Sequence, residues 1–577
     1  MWERAKSLFR YLKTQVGSWQ GVVGRIFYQL MCSHSLILII LVVLNSNSLA
    51  QSKKKKSEIK EGSYVSSVWV GENSDGTYKN PIIYADYSDP DVCRVGNDFY
   101  MTSSSFNCVP ALPILHSKDL VNWTIINHAV KRFPDEYYNT VQHGNGVWAP
   151  SIRFHDGWFY IYWGDPDRGI YMVKTQDPAG EWEAPVLVKK AHGNIDSCPL
   201  WDDDDKVYMV HAFANSRAGV SDVLQVQELS SDGTAVTRNR KIVFNGYQKH
   251  PTLEGPKFYK RNGYYYIFAP GGGVAEGWQV VLRSENPMGP YEDRIVLAQG
   301  DTDINGPHQG GYVELDNGEG WFIHFQEVQP YGRIVHLNPV RWEDDWPVMG
   351  VDKDDDGTGE PVLTHKKPDV GETYPIVTPQ ESDEFDSEKL GLQWQWQANY
   401  YNSWYSLADN PGYLRLNSVF TPDTKNSLWM VPNQLLQKLP APSFTATTKL
   451  DASHLLEGER TGLTLMGMDY AVLSISRSGN DFKLKYGVCD NAFGGMPEVT
   501  KQSVNLEDAE IWLKVKMEKG GMCQFSYSEN GEGFKNIGEP FQAVEGRWIG
   551  AKVGIFAQKD SETGSFGYAE YDWFRID

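Results

Sequence analysis

Three acidic residues open stretches of similar text. Asp89 stands in Ser88-Asp89-Pro90-Asp91-Val92, Asp196 in Asp196-Ser197-Cys198-Pro199-Leu200, and Glu254 in Glu254-Gly255-Pro256-Lys257-Phe258. Carboxyls that meet in a partly apolar setting repel one another, and their pKa values separate. That separation suits glycoside hydrolysis. One acid must be protonated to donate to the leaving oxygen, while another stays ionised to activate water, and a third nearby can raise the donor's pKa. A single Asp or Glu beside Gly or Pro is most often a plain turn-former. Three at repeated places argue for function instead.

The elements that would bring them together repeat as well. Ala149-Pro150-Ser151-Ile152 and Gln309-Gly310-Gly311-Tyr312-Val313 open two further copies, and each of the five leads into aromatic strand text such as Asp156-Gly157-Trp158-Phe159-Tyr160. Between Asp89, Ala149, Asp196, Glu254 and Gln309 the intervals are 60, 47, 58 and 55 residues. Recurrence near fifty residues with several strands per unit predicts a β-propeller of five blades over residues 80–363. The first strand of each blade lines the channel, so the three acids would form a ring at one mouth. Ala149 and Gln309 would leave room there for a ligand. Pro368, Pro375 and Pro379 mark a linker over 364–380. Period-two strands with turns at Ser478-Gly479-Asn480-Asp481 and Glu518-Lys519-Gly520-Gly521 predict a β-sandwich over 381–577. The whole reads as all-β.

Composition narrows the partners. The 577 residues carry a formal net charge of -20, which opposes a nucleic-acid or anionic-membrane partner and suits a neutral ligand such as a carbohydrate. Residues 1–50 read as a signal peptide, with a basic start, an apolar run from Leu36 to Leu44 and small residues before Ala50. That run is too short to span a bilayer, so a secreted or periplasmic location without stable membrane association is expected. Met31 offers an alternative start, and 51–79 would be a spacer and lead-in. Cys93, Cys108, Cys198, Cys489 and Cys523 lack zinc-site or disulfide spacing and read as buried thiols.

Tyr87-Ser88-Asp89-Pro90-Asp91-Val92, Phe99-Tyr100-Met101-Thr102-Ser103-Ser104-Ser105-Phe106 and His116-Ser117-Lys118-Asp119-Leu120-Val121-Asn122-Trp123 together resemble glycoside hydrolase family 43. Gly146-Val147-Trp148-Ala149-Pro150, Glu254-Gly255-Pro256 and Tyr331-Gly332-Arg333 extend the resemblance, as does Trp342-Glu343-Asp344-Asp345-Trp346-Pro347. The C-terminal part resembles the concanavalin-like domain of the family's xylosidase branch. The resemblance implies Asp89 as general base, Glu254 as general acid and Asp196 as the acid that tunes it, with inversion at the anomeric centre. Asp86 and Asp91 compete with Asp89 for the base, and Asp89 alone matches the family's acid immediately before proline. Arg333 matches a sugar-contacting arginine; Phe106 and Trp148 match pocket-wall aromatics. His308 matches the region where some members place a channel histidine, in cases at a calcium ion.

The expected activity is exo-hydrolysis of terminal α-L-arabinofuranose or β-D-xylose from plant polysaccharide, with no cofactor required and room for a structural calcium. The alternative is a non-catalytic carbohydrate-binding protein. Asp352-Lys353-Asp354-Asp355-Asp356-Gly357 imitates a calcium loop, but its twelfth position is Leu363, and it reads as a solvated turn. Asp383 with Asp572 is a second arrangement that could hold calcium.

Overall fold

The computed structural model describes residues 64–422, 427–562 and 564–577. The expected signal segment, the Met31 start and most of the spacer lie outside the described residues. No helix among the described residues is long and apolar enough to cross a membrane.

Aromatic and β-branched runs separated by tight turns give five sheets of four antiparallel strands, each built from consecutive strands. Blade one runs through Asp91–Val95, Asp98–Thr102, Ala111–Ser117 and Trp123–Val130. Blade two follows with Trp148–His155, Trp158–Asp165, Gly169–Thr175 and Val186–Lys190. Asn194–Trp201, Val207–Phe213, Val223–Leu229 and Val236–Asn245 form blade three. Blade four comprises Lys257–Arg261, Tyr264–Gly271, Trp278–Ser284 and Glu292–Leu297; blade five, His308–Glu314, Gly320–Val328, Gly332–Glu343 and Trp346–Met349. Asp156-Gly157 and Asn262-Gly263 turn first strands into second ones with left-handed backbone at both residues, a geometry these pairs adopt cheaply.

The apolar core of this part is divided among the gaps between blades. One wedge joins Ile114 of blade one to Trp163 of blade two, and another joins Met172 to Met209 across blades two and three. Leu224 and Ile267 share the next, Phe268 and Phe322 the fourth. Met101 and Ile323 pack in the last, between blades one and five. Polar contacts reinforce the ring near its axis. Asp91 accepts from Ile152 N–H at 2.8 Å and Arg153 Nη1 at 2.6 Å, and Lys257 donates to Pro150 O and Ser151 Oγ.

The ring closes through the chain that enters it. Thr77–Lys79 pairs antiparallel with Thr364–Lys366, joining what reads in sequence as lead-in and linker. Asn80 donates to Leu337 O and Val362 O and accepts from Leu337 N–H.

The remainder is a sandwich of two eight-stranded sheets around a core that includes Leu463, Leu473, Val515, Ile555 and Phe574. The expected turns are present between Tyr470–Ser478 and Asp481–Cys489, and between Glu510–Met517 and Met522–Ser528. The sandwich docks on the propeller through backbone pairing of Val109 with Trp396 and through Asn399, whose side chain accepts from Phe133 N–H and donates to Phe133 O. The five described cysteines are free and buried, as their spacing implied.

Candidate active site

Each blade begins with a kink that aims one side chain. Asp89, Ala149, Asp196 and Gln309 all adopt left-handed backbone, with φ of 53°, 37°, 58° and 41°. In blade four this conformation falls on Gly255, φ 59°, and not on Glu254. This corrects the alignment read from sequence: Glu254 occupies the place of Ser88, Trp148, Ile195 and His308, one residue before the kink. Gly255 is there because the Gln309 side chain packs where its Cβ would be, 2.5 Å away. Asp196, despite its displaced proline, is in register with Asp89. The shift by one leaves Glu254 within electrostatic reach of both aspartates, and Gly255 N–H donates to Asp196 Oδ2 at 2.8 Å.

The three carboxyls sit in different surroundings. Asp89 is buried, with Oδ1 accepting from Arg333 Nη1 at 2.9 Å and Oδ2 from Ser104 Oγ at 2.5 Å. A guanidinium and a hydroxyl thus hold opposite oxygens of its carboxyl. Ser104 Oγ in turn accepts from Ala149 N–H, so its hydrogen is directed at Asp89. Asp196 is raised above the usual carboxylate range by burial first, opposed by the Gly255 N–H and reinforced by the Asp89 charge. Glu254, half-buried, is raised by burial and then by Asp196, with Arg333 pulling it down and Asp89 pushing it up. The site therefore holds one carboxyl bound on both oxygens by Arg333 and Ser104, and two carboxyls pushed toward protonation.

Arg333 is the cation among them. It is the second residue of the third strand of blade five, lies over the Phe325 ring at 4.9 Å and stands 3.5 Å from Glu327. Its backbone N–H donates to Asp86 Oδ1. Asp86 and Asp91, the competitors for the water-activating role, are both committed elsewhere. Asp86 accepts from Ser88 Oγ, Arg333 N–H and Gly550 N–H, and Asp91 from blade two.

Phe106 is buried and its backbone pairs with Val147 on both sides; Gly146 is required beside it because a Cβ would lie 2.3 Å from Phe106 O. Trp148 is half-exposed at the rim, with Nε1 donating to Gly144 O. His308 is fully buried with no hydrogen bond at either ring nitrogen, and burial, then the Arg333 charge, lowers its pKa to about 3. A neutral imidazole thus stands beside the arginine.

Several neighbours carry no mark in the sequence. Glu545 and Trp548 come from the sandwich. Burial and the charge of Glu327 raise Glu545, with Arg333 pulling it down, and Trp548 meets Trp148 edge-on at 6.3 Å. A Cβ on Gly144 would touch Arg547 and Trp548, so this sandwich loop lies directly on the propeller rim. A stretch of serines, Ser103-Ser104-Ser105, was the only visible trace of the Asp89 hydroxyl partner. The opposite ends of the inner strands surround a cavity of about 680 Å³, lined by Arg153, Trp201, Tyr259 and Trp342, which contains none of the three acids.

Residues 78–347 match the model for glycosyl hydrolases family 43, and 382–577 that for the beta xylosidase C-terminal concanavalin A-like domain. A protein of Xylanibacter ruminicola is 40% identical over 489 residues, 84% of this chain and 87% of its own length. This chain belongs to glycosyl hydrolase family 43. A beta-xylosidase of Formosa agariphila is 31% identical, with 95% and 98% of the two chains covered. The non-reducing end alpha-L-arabinofuranosidase BoGH43B of Bacteroides ovatus is 30% identical, with 86% and 94% covered. The chain is thus a glycoside hydrolase of the β-xylosidase and arabinofuranosidase type, with the propeller and concanavalin-like sandwich that its resemblance implied.

Proposed function

We propose that this enzyme is an exo-acting, inverting hydrolase that removes terminal β-D-xylose or α-L-arabinofuranose from plant hemicellulose or its oligosaccharides. Asp89 is the general base, Glu254 the general acid and Asp196 the group that keeps Glu254 protonated. The observation that carries this reading is the contrast between Asp89, whose two oxygens are bound by Arg333 and Ser104, and Glu254, pushed up by burial and by Asp196. Base and acid are thereby assigned by environment. In an inverting reaction water attacks one face of the sugar while the leaving oxygen takes a proton on the other. Asp89 would take the proton from water, Glu254 would give one to the leaving oxygen, and Arg333 would present donors to the sugar hydroxyls. The sandwich loop at Glu545 and Trp548 supports exo action, because it walls one side of the mouth.

The test separates the two roles. Asp89→Asn should lower kcat about 10³-fold or more on every aryl pentoside. Glu254→Gln should do so on 4-methylphenyl pentosides yet retain most activity on 2,4-dinitrophenyl ones, whose leaving group needs no proton. Equal loss on both leaving groups in Glu254→Gln would sink its assignment as acid. Assays of β-D-xylosides and α-L-arabinofuranosides side by side determine the sugar, and NMR of the first product anomer tests inversion.

A further inference from the structure

Two large aromatic side chains of the sandwich stand in water close to the mouth. Trp548 is 43% exposed and Phe493 is 53% exposed. Trp548 also holds left-handed backbone, with φ of 63°, a conformation that is costly for a bulky residue. Neither burial nor backbone preference accounts for a tryptophan there. A bulky ring kept in water at such a cost argues for something that binds its face.

The two rings belong to one surface that runs back to the acids. Trp548 meets Trp148 of the propeller at 6.3 Å, and Trp148 directly precedes Ala149, whose N–H binds the Ser104 hydroxyl that donates to Asp89. Arg547 joins Trp548 to Phe493. Its guanidinium lies 4.1 Å from the Trp548 ring and 5.5 Å from the Phe493 ring. Among the described residues it has no carboxylate partner and no hydrogen-bond acceptor, so its donors are left to solvent or to a ligand. Phe493 then meets Trp429 edge-on at 6.4 Å, and Trp429 stacks on His143 of the propeller at 3.5 Å.

The loops that carry these side chains are held in place. Met468 N–H donates to Glu545 O at 2.8 Å, and Phe493 N–H donates to Met468 O at 3.2 Å, so one residue ties both loops. Gly546 N–H donates to Ile549 O at 2.8 Å and closes the turn that presents Arg547 and Trp548. A surface fixed before binding pays little ordering cost when a ligand arrives.

We propose that Trp548, Arg547 and Phe493 form a shelf that binds the sugar units beyond the scissile bond, so that the enzyme favours longer pentose chains over disaccharides. The proposal rests on the hydrolase reading above. Aromatic rings accept the apolar faces of sugars, and a guanidinium offers fixed donors to their hydroxyls. The occupant is the substrate's own chain because the shelf is continuous with the mouth. In exo cleavage the terminal sugar enters, and the rest of the chain must leave along the wall that the sandwich provides.

The experiment compares kcat/KM on a linear pentose tetrasaccharide, the disaccharide and the 4-nitrophenyl pentoside of the same sugar, for the wild type, Phe493→Ala and Arg547→Gln. The wild type should prefer the tetrasaccharide to the disaccharide by about fivefold or more, and each variant should lose most of that preference through KM. A wild-type preference below about twofold would overturn the proposal, as would variants that keep the wild-type ratio. Should Phe493→Ala fail to fold, Arg547→Gln, altered at a half-exposed side chain, carries the same test. A wild type that hydrolyses no aryl pentoside defeats the hydrolase reading and not the shelf. Calorimetry with the tetrasaccharide then decides: a Kd weakened about fivefold in Phe493→Ala supports the shelf, and an unchanged Kd overturns it.

Discussion

At the scale of single residues, the site works by unequal treatment of like groups. As the proposed general acid, Glu254 acts only when protonated, so on that proposal activity falls as pH rises through its pKa, which burial and the Asp196 charge raise to about 8. Replacing Asp196 by Asn removes one of the negative charges that raise Glu254. The alkaline limb of kcat/KM should then move down by about one pH unit, and kcat should fall as well. A limb that stays in place in Asp196→Asn would separate Asp196 from the proton donor. Stability follows from the same shift. An acid whose folded pKa lies above its unfolded value of about 4.3 loses folded-state stability as pH rises through that interval. Glu254→Gln should therefore raise the melting midpoint by roughly 1–2 °C at pH 8 and leave it unchanged at pH 4. Asp89, Asp196, Glu254 and Arg333 stand out as candidates because each sits in a distinctive short text. The one-residue displacement of Glu254 does not, since glycine and proline follow acids in both registers and only backbone torsion tells them apart.

At the scale of elements, the kink at the start of each inner strand sets where a side chain points, and glycines hold the surrounding wall close. Gly146→Ala would set a Cβ 2.3 Å from Phe106 O at a φ of 98°, which no side-chain adjustment relieves. It should cost about 2 kcal/mol or more in urea unfolding and raise KM at the same time. Hairpins such as Asp156-Gly157 were legible because their chemistry is local. The pairing of Thr77–Lys79 with Thr364–Lys366 was not, because strands separated by nearly the whole propeller leave no shared periodicity.

For the whole molecule, a core divided into wedges makes closure of the ring a matter of stability. Asn80 binds backbone on both sides of that closure. Asn80→Ala removes the side-chain partners of the Val362 carbonyl and the Leu337 N–H, while Leu337 O keeps the Tyr78 hydroxyl, and should lower stability by about 1–3 kcal/mol, measured by urea unfolding, with kcat nearly unchanged. The sandwich is a second partner of the rim. Trp548→Ala should raise KM several-fold while kcat stays within about twofold, the pattern of lost binding without lost chemistry. The sandwich could be foreseen from its alternating strands; its reach to the mouth could not, since Glu545 and Trp548 lie more than two hundred residues beyond Arg333.

Asp86 ties these scales together. One of its oxygens accepts from Ser88 and from the backbone of Arg333, the other from Gly550 of the sandwich, where a Cβ would lie 2.3 Å from Tyr331 O. The two domains are thus fitted to each other at this seam. A chimera joining this propeller to a foreign sandwich without a glycine at position 550 would lift that seam apart, and the arginine beside Asp89 would lose its footing.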